Sequence, residues 1–267
     1  MNPNEKTAHP KRVLVTGAAG AVGRVVSGAL RNRGHFVRGF DLHASPAADE
    51  SLVGDLAKAG DVDDAVQGMD TVVHLGATPD EADFLTQLLP NNIVGVFHVF
   101  DAARRFGVKR VVGASTLQTV RGYDLKKQRV RLEDGFRTTN HYGATKVFLE
   151  ALGSTYAHAH QISFIGARLG WFPRTPESTR WGFGPDRATA RLAYLSHEDA
   201  KRFFVSAVEI EDIRYALAFV SSIPEGNDEQ GMDPEPARRL GFVAQDRFPE
   251  GLPWRFDAEG QLVSLSP

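Results

Sequence analysis

The stretch RVLVTGAAGAVG, residues 12–23, decides the fold. Its first five residues form a largely apolar, β-branched run, which is typical of a strand buried on both faces. An amphipathic helical pattern follows Gly20 and ends at Gly34. Gly17 permits a tight turn, Gly20 lets a ligand approach the helix start, and Gly23 lets the helix pack on the strand. Strand, glycine-rich turn and helix in this order predict a dinucleotide site with the pyrophosphate at the helix start.

The alternation of short apolar runs with amphipathic runs continues to about residue 170. We predict further strands at 35–41, 71–75, 108–114, 162–168 and 213–220, and helices at 61–67, 90–105, 142–159 and 196–208. Such alternation implies parallel strands joined by right-handed crossovers. The expected fold is α/β, a Rossmann-type doubly wound parallel sheet over residues 11–170. Residues 171–267 are expected to form a small C-terminal substrate-binding lobe on the same sheet, with a loop at 224–236.

Composition excludes several classes of protein. The 267 residues include no cysteine, so disulfides, thiolate metal sites and a cysteine nucleophile are excluded. The formal net charge of −2 gives no support to a nucleic-acid partner. The first ten residues lack the apolar core of a signal peptide, and no apolar run approaches the roughly 18 residues that span a bilayer. We expect a cytoplasmic protein with no metal site and with neither membrane nor nucleic acid as a partner.

Asp41 ends the second predicted strand, 18 residues after Gly23. A carboxylate at this position accepts hydrogen bonds from ribose hydroxyls and repels a 2′-phosphate, which favours NAD over NADP. Arg24 and Arg38 are nearby cations that leave NADP open as the less favoured alternative.

Tyr142 and Lys146 are i and i+4 in a predicted helix and therefore share a face. A nearby ammonium favours the phenolate, so we expect the pKa of Tyr142 to fall below its reference value of about 10. Tyr142 is then a general base for a hydroxyl whose carbon loses a hydride. Ser115 and Thr116 end a predicted strand, where sheets of this type bind ligands, and either hydroxyl is a candidate to orient the substrate oxygen.

These features resemble the short-chain dehydrogenase/reductase superfamily. Four segments resemble its extended branch, the NAD-dependent epimerase/dehydratase group. They are Gly54-Asp55-Leu56, His74-Leu75-Gly76-Ala77, Asn92-Ile93-Val94-Gly95 and the Tyr-Gly-x-x-Lys motif. Within that branch, chain length and Leu195-Ser196-His197-Glu198-Asp199 most resemble the uronate dehydrogenases.

The resemblance implies a role for each matching residue. Tyr142 is implied as the base, Lys146 as its partner on the nicotinamide ribose, and Thr116 as the catalytic hydroxyl, with Ser115 as second choice. Asn92 is implied to lie near the cofactor or to support the catalytic strand. The full set implied to contact NAD is Gly17, Ala19, Gly20, Ala21, Val22, Gly23, Asp41, Asp55, Leu56, Leu75, Gly76, Ala77, Asn92, Tyr142, Lys146, Leu169 and Gly170.

The substrate side departs from the uronate dehydrogenases, which follow the catalytic hydroxyl with Asn-His. Leu117 and Gln118 occupy those places here, and leucine cannot donate a hydrogen bond. A sugar acid needs a cation for its carboxylate, preferably an arginine. Among the arginines of the loop-rich segment (Arg174, Arg180, Arg187 and Arg191), Arg187 and Arg191 are the best candidates. The predicted substrate contacts are Thr78, Leu117, Gln118, Arg187 and Arg191.

The leading hypothesis is an NAD-dependent dehydrogenase of a sugar or sugar acid of the uronate type. One alternative is an epimerase or reductase acting on a nucleotide-linked or other hydroxyl substrate. Another is a non-catalytic NAD-sensing protein, although such a protein has no need of a base. The resemblance also implies a possible homodimer through the helices at about 82–105 and 142–159.

Overall fold

The chain folds around a central sheet of seven parallel strands, and the computed structural model describes residues 7, 9–227, 229–257 and 260–263. In chain order the strands are β1 (Arg12–Thr16), β2 (Phe36–Asp41), β3 (Glu50–Val53), β4 (Thr71–His74), β5 (Arg110–Thr116), β6 (Arg129–Val130), β7 (Ser163–Leu169), β8 (Tyr215–Val220), β9 (Gly231–Met232), β10 (Arg255–Phe256) and β11 (Leu262–Val263). The central sheet has the order β3-β2-β1-β4-β5-β7-β8. The strand order therefore reverses between β1 and β4, where sheets of this kind open a ligand crevice.

Helices connect the strands, and some of their ends carry recognisable caps. They are α1 (Ala21–Arg33), α2 (Ala59–Val66), α3 (Gly95–Arg105), α4 (His141–Ala159), α5 (Pro176–Thr179), α6 (Arg187–Leu192), α7 (His197–Glu209) and α8 (Glu235–Arg239). Gly34 ends α1 in the left-handed conformation at φ 103°. The side chain of Asn140 caps α4 by accepting from Gly143 N, and that of Ser196 caps α7 by accepting from Asp199 N.

Register aligns the carboxyl ends of the central strands. Thr16 of β1 lies opposite His74 of β4, and Thr116 of β5 lies opposite Leu169 of β7. The segments that follow these four strands consequently meet at one edge of the sheet. All the chemistry-bearing residues predicted at strand ends are brought to that edge.

Both faces of the sheet are buried, which explains why the central strands are continuous apolar runs. Val13 and Val15 face the layer that contains α1 and α7, whereas Leu14 faces the layer that contains α2, α3 and α4. The fold class predicted from the sequence is confirmed.

Three local predictions were wrong. The short edge strand β3 was missed because its four residues alternate between half-buried and exposed and carry no long apolar run. The predicted helix at 90–105 begins earlier, as a π-helix over Phe84–Val94 that contains Pro90, and becomes α-helical at Gly95. Its start is fixed by Asp83, which accepts from Thr86 N at 2.8 Å. Wide i→i+5 turns of this kind occur mostly within helices near functional sites.

The predicted loop at 224–236 contains β9, which pairs with β6, and the first residues of α8. Asp228 of that loop, residues 258, 259 and 264–267 of the predicted lobe, and residues 1–6 and 8 of the amino terminus lie outside the described residues. Within the described ranges, no helix combines the length and the apolar character needed to cross a bilayer.

Candidate active site

The glycine-rich turn after β1 leaves open space at the start of α1. Gly17 has φ +68°, and a Cβ there would lie 2.6 Å from Gly76 N, so the loops after β1 and β4 touch through backbone. A Cβ at Gly20 would meet only the carbonyl oxygen of Gly17, at 3.1 Å. The first turn of α1 has no side-chain cap and no acidic residue. A pyrophosphate fits this helix start, because nothing negative competes for its N–H groups.

Asp41 lies against the glycine-rich turn. Its Oδ2 accepts from Ala19 N at 3.1 Å, and its Oδ1 accepts from His43 N at 3.2 Å. Arg38 does not face this carboxylate, since it pairs with Glu50 at 2.8 Å. Arg24 donates to the carbonyl of Ala19. The end of β2 therefore presents a carboxylate to the turn, as the sequence predicts for NAD.

Residues 54–56, which the resemblance places beside the adenine, directly follow β3. Asp55 turns its carboxylate to backbone, with Oδ1 accepting from Ala57 N at 2.9 Å. Leu56 is wedged under the loop after β4, because a Cβ at Gly76 would lie 2.6 Å from its Cδ1. Glycine at 76 thus lets Leu56 and the loops of β1 and β4 meet in one place.

Thr116, Tyr142 and Lys146 come together at the ends of β5 and the beginning of α4. All three are buried, and the Thr116 side chain is close enough to the Tyr142 phenol to act on its pKa. Lys146 Nζ donates to the carbonyl of Ala114 at 2.9 Å and lies 5.6 Å from the centre of the Tyr142 ring. Ser115 points away from them and donates to Glu150 Oε1 at 2.6 Å. The structure thus brings Thr116, and not Ser115, to the phenol.

The pKa values of this cluster differ from one sequence expectation. Burial raises the pKa of Tyr142 to about 12; the charge of Asp80 adds to this rise, while Arg174 and the Thr116 hydrogen bond oppose it. Burial also lowers the pKa of Lys146 to about 8. The expectation that Lys146 lowers the Tyr142 pKa was wrong for this arrangement, because desolvation of the buried phenol dominates. The ammonium is directed at Ala114.

Asn92 joins the loop after β4 to α4. Its Oδ1 accepts from Thr78 N at 2.8 Å, and its Nδ2 donates to Thr78 O at 3.0 Å and to Thr145 Oγ1 at 3.2 Å. Thr78 is therefore held through its backbone. The two roles implied for Asn92 were a place near the cofactor and support of the catalytic strand, whereas its contacts join the loop after β4 to the helix of Tyr142.

A second buried layer, which the sequence analysis missed, lies beneath the cluster. Glu150 of α4 forms two hydrogen bonds with Arg168 of β7, at 2.9 and 2.8 Å, and accepts the Ser115 bond of β5. These contacts join the strands of Thr116 and Leu169 to the helix of Tyr142. His74 of β4 bonds to Thr16 through Nδ1 at 2.8 Å, and burial lowers its pKa to about 3. The sequence signal that could have indicated this layer is the presence of polar residues inside otherwise apolar strands.

A chain of polar contacts lies next to the Tyr142 cluster, on the side that the sequence analysis assigns to the substrate. Asn140 Nδ2 donates to Gln118 Oε1 at 2.6 Å, and Gln118 Nε2 donates to Asp80 Oδ1 at 3.3 Å. Arg174 Nη1 pairs with Asp80 Oδ2 at 3.0 Å. Glu81, next in the chain, contacts His141 Nδ1 at 2.6 Å and accepts from Tyr142 N at 3.0 Å. Leu117 is half-buried beside Gln118.

The two arginines predicted to bind a carboxylate have other surroundings. Arg191 pairs with Glu225 at 2.8 Å and donates to the carbonyl of Gly182. Arg187 is exposed at the first residue of α6. The arginine whose charge acts on Tyr142 is Arg174. The predicted roles of Arg187 and Arg191 stay predictions.

Residues 245–251 reach back to the beginning of α7. Gly251 O accepts from His197 N at 3.1 Å and from Glu198 N at 3.3 Å, and Asp246 accepts from the hydroxyl of Ser196. Asp199 is fully buried and accepts from the backbone N of residues 245 and 246. This segment and the start of α7 therefore form one hydrogen-bonded unit, which borders the crevice.

Leu75 follows β4, Leu169 ends β7 and Gly170 follows it, so all three lie at the carboxyl edge. A Cβ at Gly170 would collide with the carbonyl of Ala193, which fixes the path of the chain there. Ala77 follows Gly76 in the same loop. Within the described part of the chain, no three His, Asp or Glu side chains are grouped to hold a metal ion.

A switch-point crevice, a glycine-rich helix start and a Thr/Tyr/Lys cluster define the extended type of short-chain dehydrogenase. Residues 13–172 match the NAD dependent epimerase/dehydratase family, and the chain belongs to that family. It is an NAD-dependent dehydrogenase. The predicted resemblance is confirmed.

Relatives and solved structures resemble the chain over most of its length. Uronate dehydrogenase of Pseudomonas syringae pv. tomato is 31% identical, covering 88% of this chain and 82% of the relative. L-arabinose 1-dehydrogenase (NAD(P)(+)) of Haloferax volcanii is 30% identical, covering 88% and 96%. A crystal structure of a tyrosine-to-alanine mutant of Agrobacterium tumefaciens uronate dehydrogenase, complexed with NAD, is 29% identical with a TM-score of 0.76, covering 89% of this chain and 86% of that one.

Proposed function

We propose that the protein oxidises the anomeric hydroxyl of a sugar acid of the uronate type, with NAD as the acceptor. The observation that carries this proposal is the cluster of Thr116, Tyr142 and Lys146 at the edge where the glycine-rich turn opens. The relatives named as uronate dehydrogenases support the substrate class. For a cyclic uronate, the product is an aldarolactone.

The cofactor would be held by groups on three loops. The N–H groups of Ala21 and Val22 at the start of α1 would receive the pyrophosphate, and Asp41 would receive the adenosine ribose. Lys146 would donate to the nicotinamide ribose, and Leu75 and Gly170 would border the nicotinamide. NAD supplies the acceptor for the hydride that leaves the sugar carbon.

The chain's own residues handle the proton and the oxygen. Thr116 would donate to the substrate oxygen and hold it beside Tyr142, whose phenolate takes the hydroxyl proton as the C–O double bond forms. The Thr116 hydrogen bond favours the phenolate. The bond between Glu150 and Ser115 joins α4 to β5, so that the base and the orienting hydroxyl stay together, and the bond between Asn92 and Thr145 joins α4 to the loop after β4.

A neutral aldose is the second candidate substrate. Leu117 supports it, because the leucine side chain directly after Thr116 cannot hydrogen-bond a polar group of a sugar acid. The relative named as an L-arabinose 1-dehydrogenase supports it as well. The two candidates share the same base, hydroxyl and cofactor and differ only in the group recognised away from the reacting carbon.

The test is NAD reduction over a panel of uronates and aldoses, with NADP beside NAD. Tyr142→Phe should lower kcat by about 10²- to 10⁴-fold and leave the Kd for NAD within about threefold, because it removes only the ionisable hydroxyl. Below pH 8 the wild-type rate should rise with pH. Burial raises the pKa of Tyr142, so the fraction of phenolate is small in this range and increases as the pH rises.

Tyr123→Phe is the matched control, because Tyr123 donates to the carbonyl of Asp134 and belongs to no part of the cluster. It should keep the wild-type rate. Turnover by Tyr142→Phe at the wild-type rate would contradict the assignment of the base. Absence of NAD reduction with every sugar of the panel would contradict the proposed reaction.

A further inference from the structure

The loop between β4 and the π-helix, residues 75–83, lies against the first turn of α4. Glu81 of this loop accepts from Tyr142 N through Oε2 at 3.0 Å and contacts His141 Nδ1 through Oε1 at 2.6 Å. The two residues that it holds are 61 and 60 positions away in the chain. One carboxylate therefore joins the loop to the backbone of the proposed base.

The backbone directly before Glu81 makes an unusual turn. Asp80 has φ +61°, in the left-handed region that residues other than glycine seldom occupy. Such a conformation costs about 1–3 kcal/mol and persists where the surroundings hold it. The loop is held on both sides of this turn, because Thr78 N donates to Asn92 and the side chain of Asp83 caps the π-helix. The turn at Asp80 thus brings the Glu81 carboxylate to α4 from a loop that is itself fixed.

A contribution to stability does not explain the Glu81 contacts. The side chains of Glu81 and His141 are 44% and 70% exposed, and exposed pairs contribute little to the free energy of unfolding. Asn140 already caps α4 by accepting from Gly143 N, and water can satisfy an exposed N–H group in the first turn of a helix. What Glu81 adds is a fixed distance between the loop and the backbone of Tyr142.

That distance bears on a reaction which takes a proton from an oxygen and a hydride from the carbon next to it. The proton leaves toward Tyr142, and the hydride leaves toward the nicotinamide, which Leu75 would border. Both transfers depend on placement, and a misplacement of about 1 Å can lower a rate about 10²-fold. Leu75 is the first residue of the loop that carries Glu81. One short segment therefore borders the hydride acceptor and holds the base.

We propose that Glu81 is a positioning residue, which acts through the backbone of Tyr142 and sets the distance between the base and the hydride acceptor. The inference rests on the proposed function and deepens it by one residue outside the Thr116, Tyr142 and Lys146 cluster. The role requires an acceptor for Tyr142 N and a partner for His141 at the same time. Glutamine supplies both, through its carbonyl oxygen and its amide N–H, whereas alanine supplies neither.

The experiment compares wild type, Glu81→Ala and Glu81→Gln, using the sugar of the panel that gives the highest kcat/KM. Glu81→Ala should lower kcat about 10- to 100-fold and leave the KM for the sugar and the Kd for NAD within about threefold. Glu81→Gln should restore kcat to within about threefold of wild type. With deuterium on the oxidised carbon, the isotope effect on kcat should be at least as large in Glu81→Ala as in wild type, because hydride transfer is the step that slows.

Hydrogen exchange at the Tyr142 amide tests the contact without turnover. This amide should exchange at least about tenfold faster in Glu81→Ala than in wild type, and Glu81→Gln should retain the protection. Glu235→Ala is the matched control, since Glu235 is a comparably exposed carboxylate in the first turn of α8. It should change neither kcat nor the exchange of the Tyr142 amide.

Three results would overturn the inference while leaving the proposed function intact. The first is a wild-type kcat in Glu81→Ala. The second is a Glu81→Gln variant as slow as Glu81→Ala, which would assign the effect to charge instead of position. The third is a smaller isotope effect in Glu81→Ala, or a rise in the KM for the sugar or the Kd for NAD that matches the fall in kcat. Failure of the wild-type protein to oxidise any sugar of the panel would overturn the proposed function and the inference together.

Discussion

The cofactor side of the crevice is made mainly of backbone, whereas the substrate side is made of side chains that meet across long stretches of chain. On the first side, Gly17 touches Gly76 and the start of α1 stands open. On the second, Asp80 meets Arg174, and α7 begins on groups from residues 246 and 251. We therefore expect substitutions on the first side to change the affinity for NAD, and substitutions on the second side to change the recognition of the substrate.

The largest effect on stability is expected at Glu150, which supports both the cofactor side and the substrate side of the crevice. Glu150→Gln would leave the buried guanidinium of Arg168 without its carboxylate and should lower the free energy of unfolding by about 3–5 kcal/mol. Urea denaturation measures this change, and both NAD binding and sugar oxidation should weaken together. Such a result would show that the Glu150–Arg168 ion pair supports both sides of the crevice.

The double variant Glu150→Gln with Arg168→Met should recover most of that loss, because it removes the unpaired charge as well. Glu133→Ala, at an exposed position, is the control and should change stability by less than about 0.5 kcal/mol. A single Glu150→Gln variant as stable as wild type would show that the ion pair does not support the site.

An intermediate effect is expected on the cofactor side alone. Gly17→Ala would force a Cβ to within 2.6 Å of Gly76 N at a φ of +68°, and should cost about 1–3 kcal/mol. Because the two loops must then separate, the Kd for NAD should rise more than about tenfold. Calorimetric titration with NAD measures it.

Gly28→Ala in the same α1 helix is the matched control, since a Cβ there would meet no atom within 4 Å. Alanine is the better helix former, so this variant should be as stable as wild type or more stable by up to about 1 kcal/mol. If Gly17→Ala and Gly28→Ala bound NAD with equal affinity, the close approach of the two loops would make no contribution to cofactor binding.

The smallest effect is expected on the substrate side. Ser196→Ala removes the cap of α7 and the bond to Asp246, and should cost about 1 kcal/mol. The KM for the sugar should rise by a larger factor than the Kd for NAD, because Ser196 bonds to Asp246 and to no residue of the glycine-rich turn, although the start of α7 also lines a cavity with the start of α1. Steady-state kinetics with each substrate varied in turn separates the two; a parallel change in both constants would contradict an independent substrate side.

This contrast also explains what could be predicted from the sequence. Glycine spacing, the strand-end position of Asp41 and the i, i+4 spacing of Tyr142 and Lys146 are local signals, and the structure brings these groups to one edge. Strand alternation requires the Ser115 and Thr116 side chains to point to opposite faces, and the family resemblance supplied the preference for Thr116. These parts depend on a few adjacent residues at a time.

The remaining parts depend on contacts between distant residues. No local pattern indicates that Asp80 meets Arg174, or that Arg191 is engaged by Glu225. The pKa of Tyr142 is likewise set by how deeply the phenol is buried, which spacing cannot reveal. The π-helix at Phe84–Val94 was missed because a proline normally marks a helix start, and here it lies inside one.

The hydrogen bonds from residues 245–251 to α7 have a consequence for the order of assembly during synthesis. Every strand of the central sheet is translated before this segment emerges, so the nucleotide crevice has all its strands while the substrate side still lacks Asp246 and Gly251. A nascent chain can therefore gain the ability to hold a dinucleotide before it can select a sugar. Recognition of the sugar, which supplies the hydride, is therefore completed last, when the ribosome has delivered the residues that bond to the start of α7.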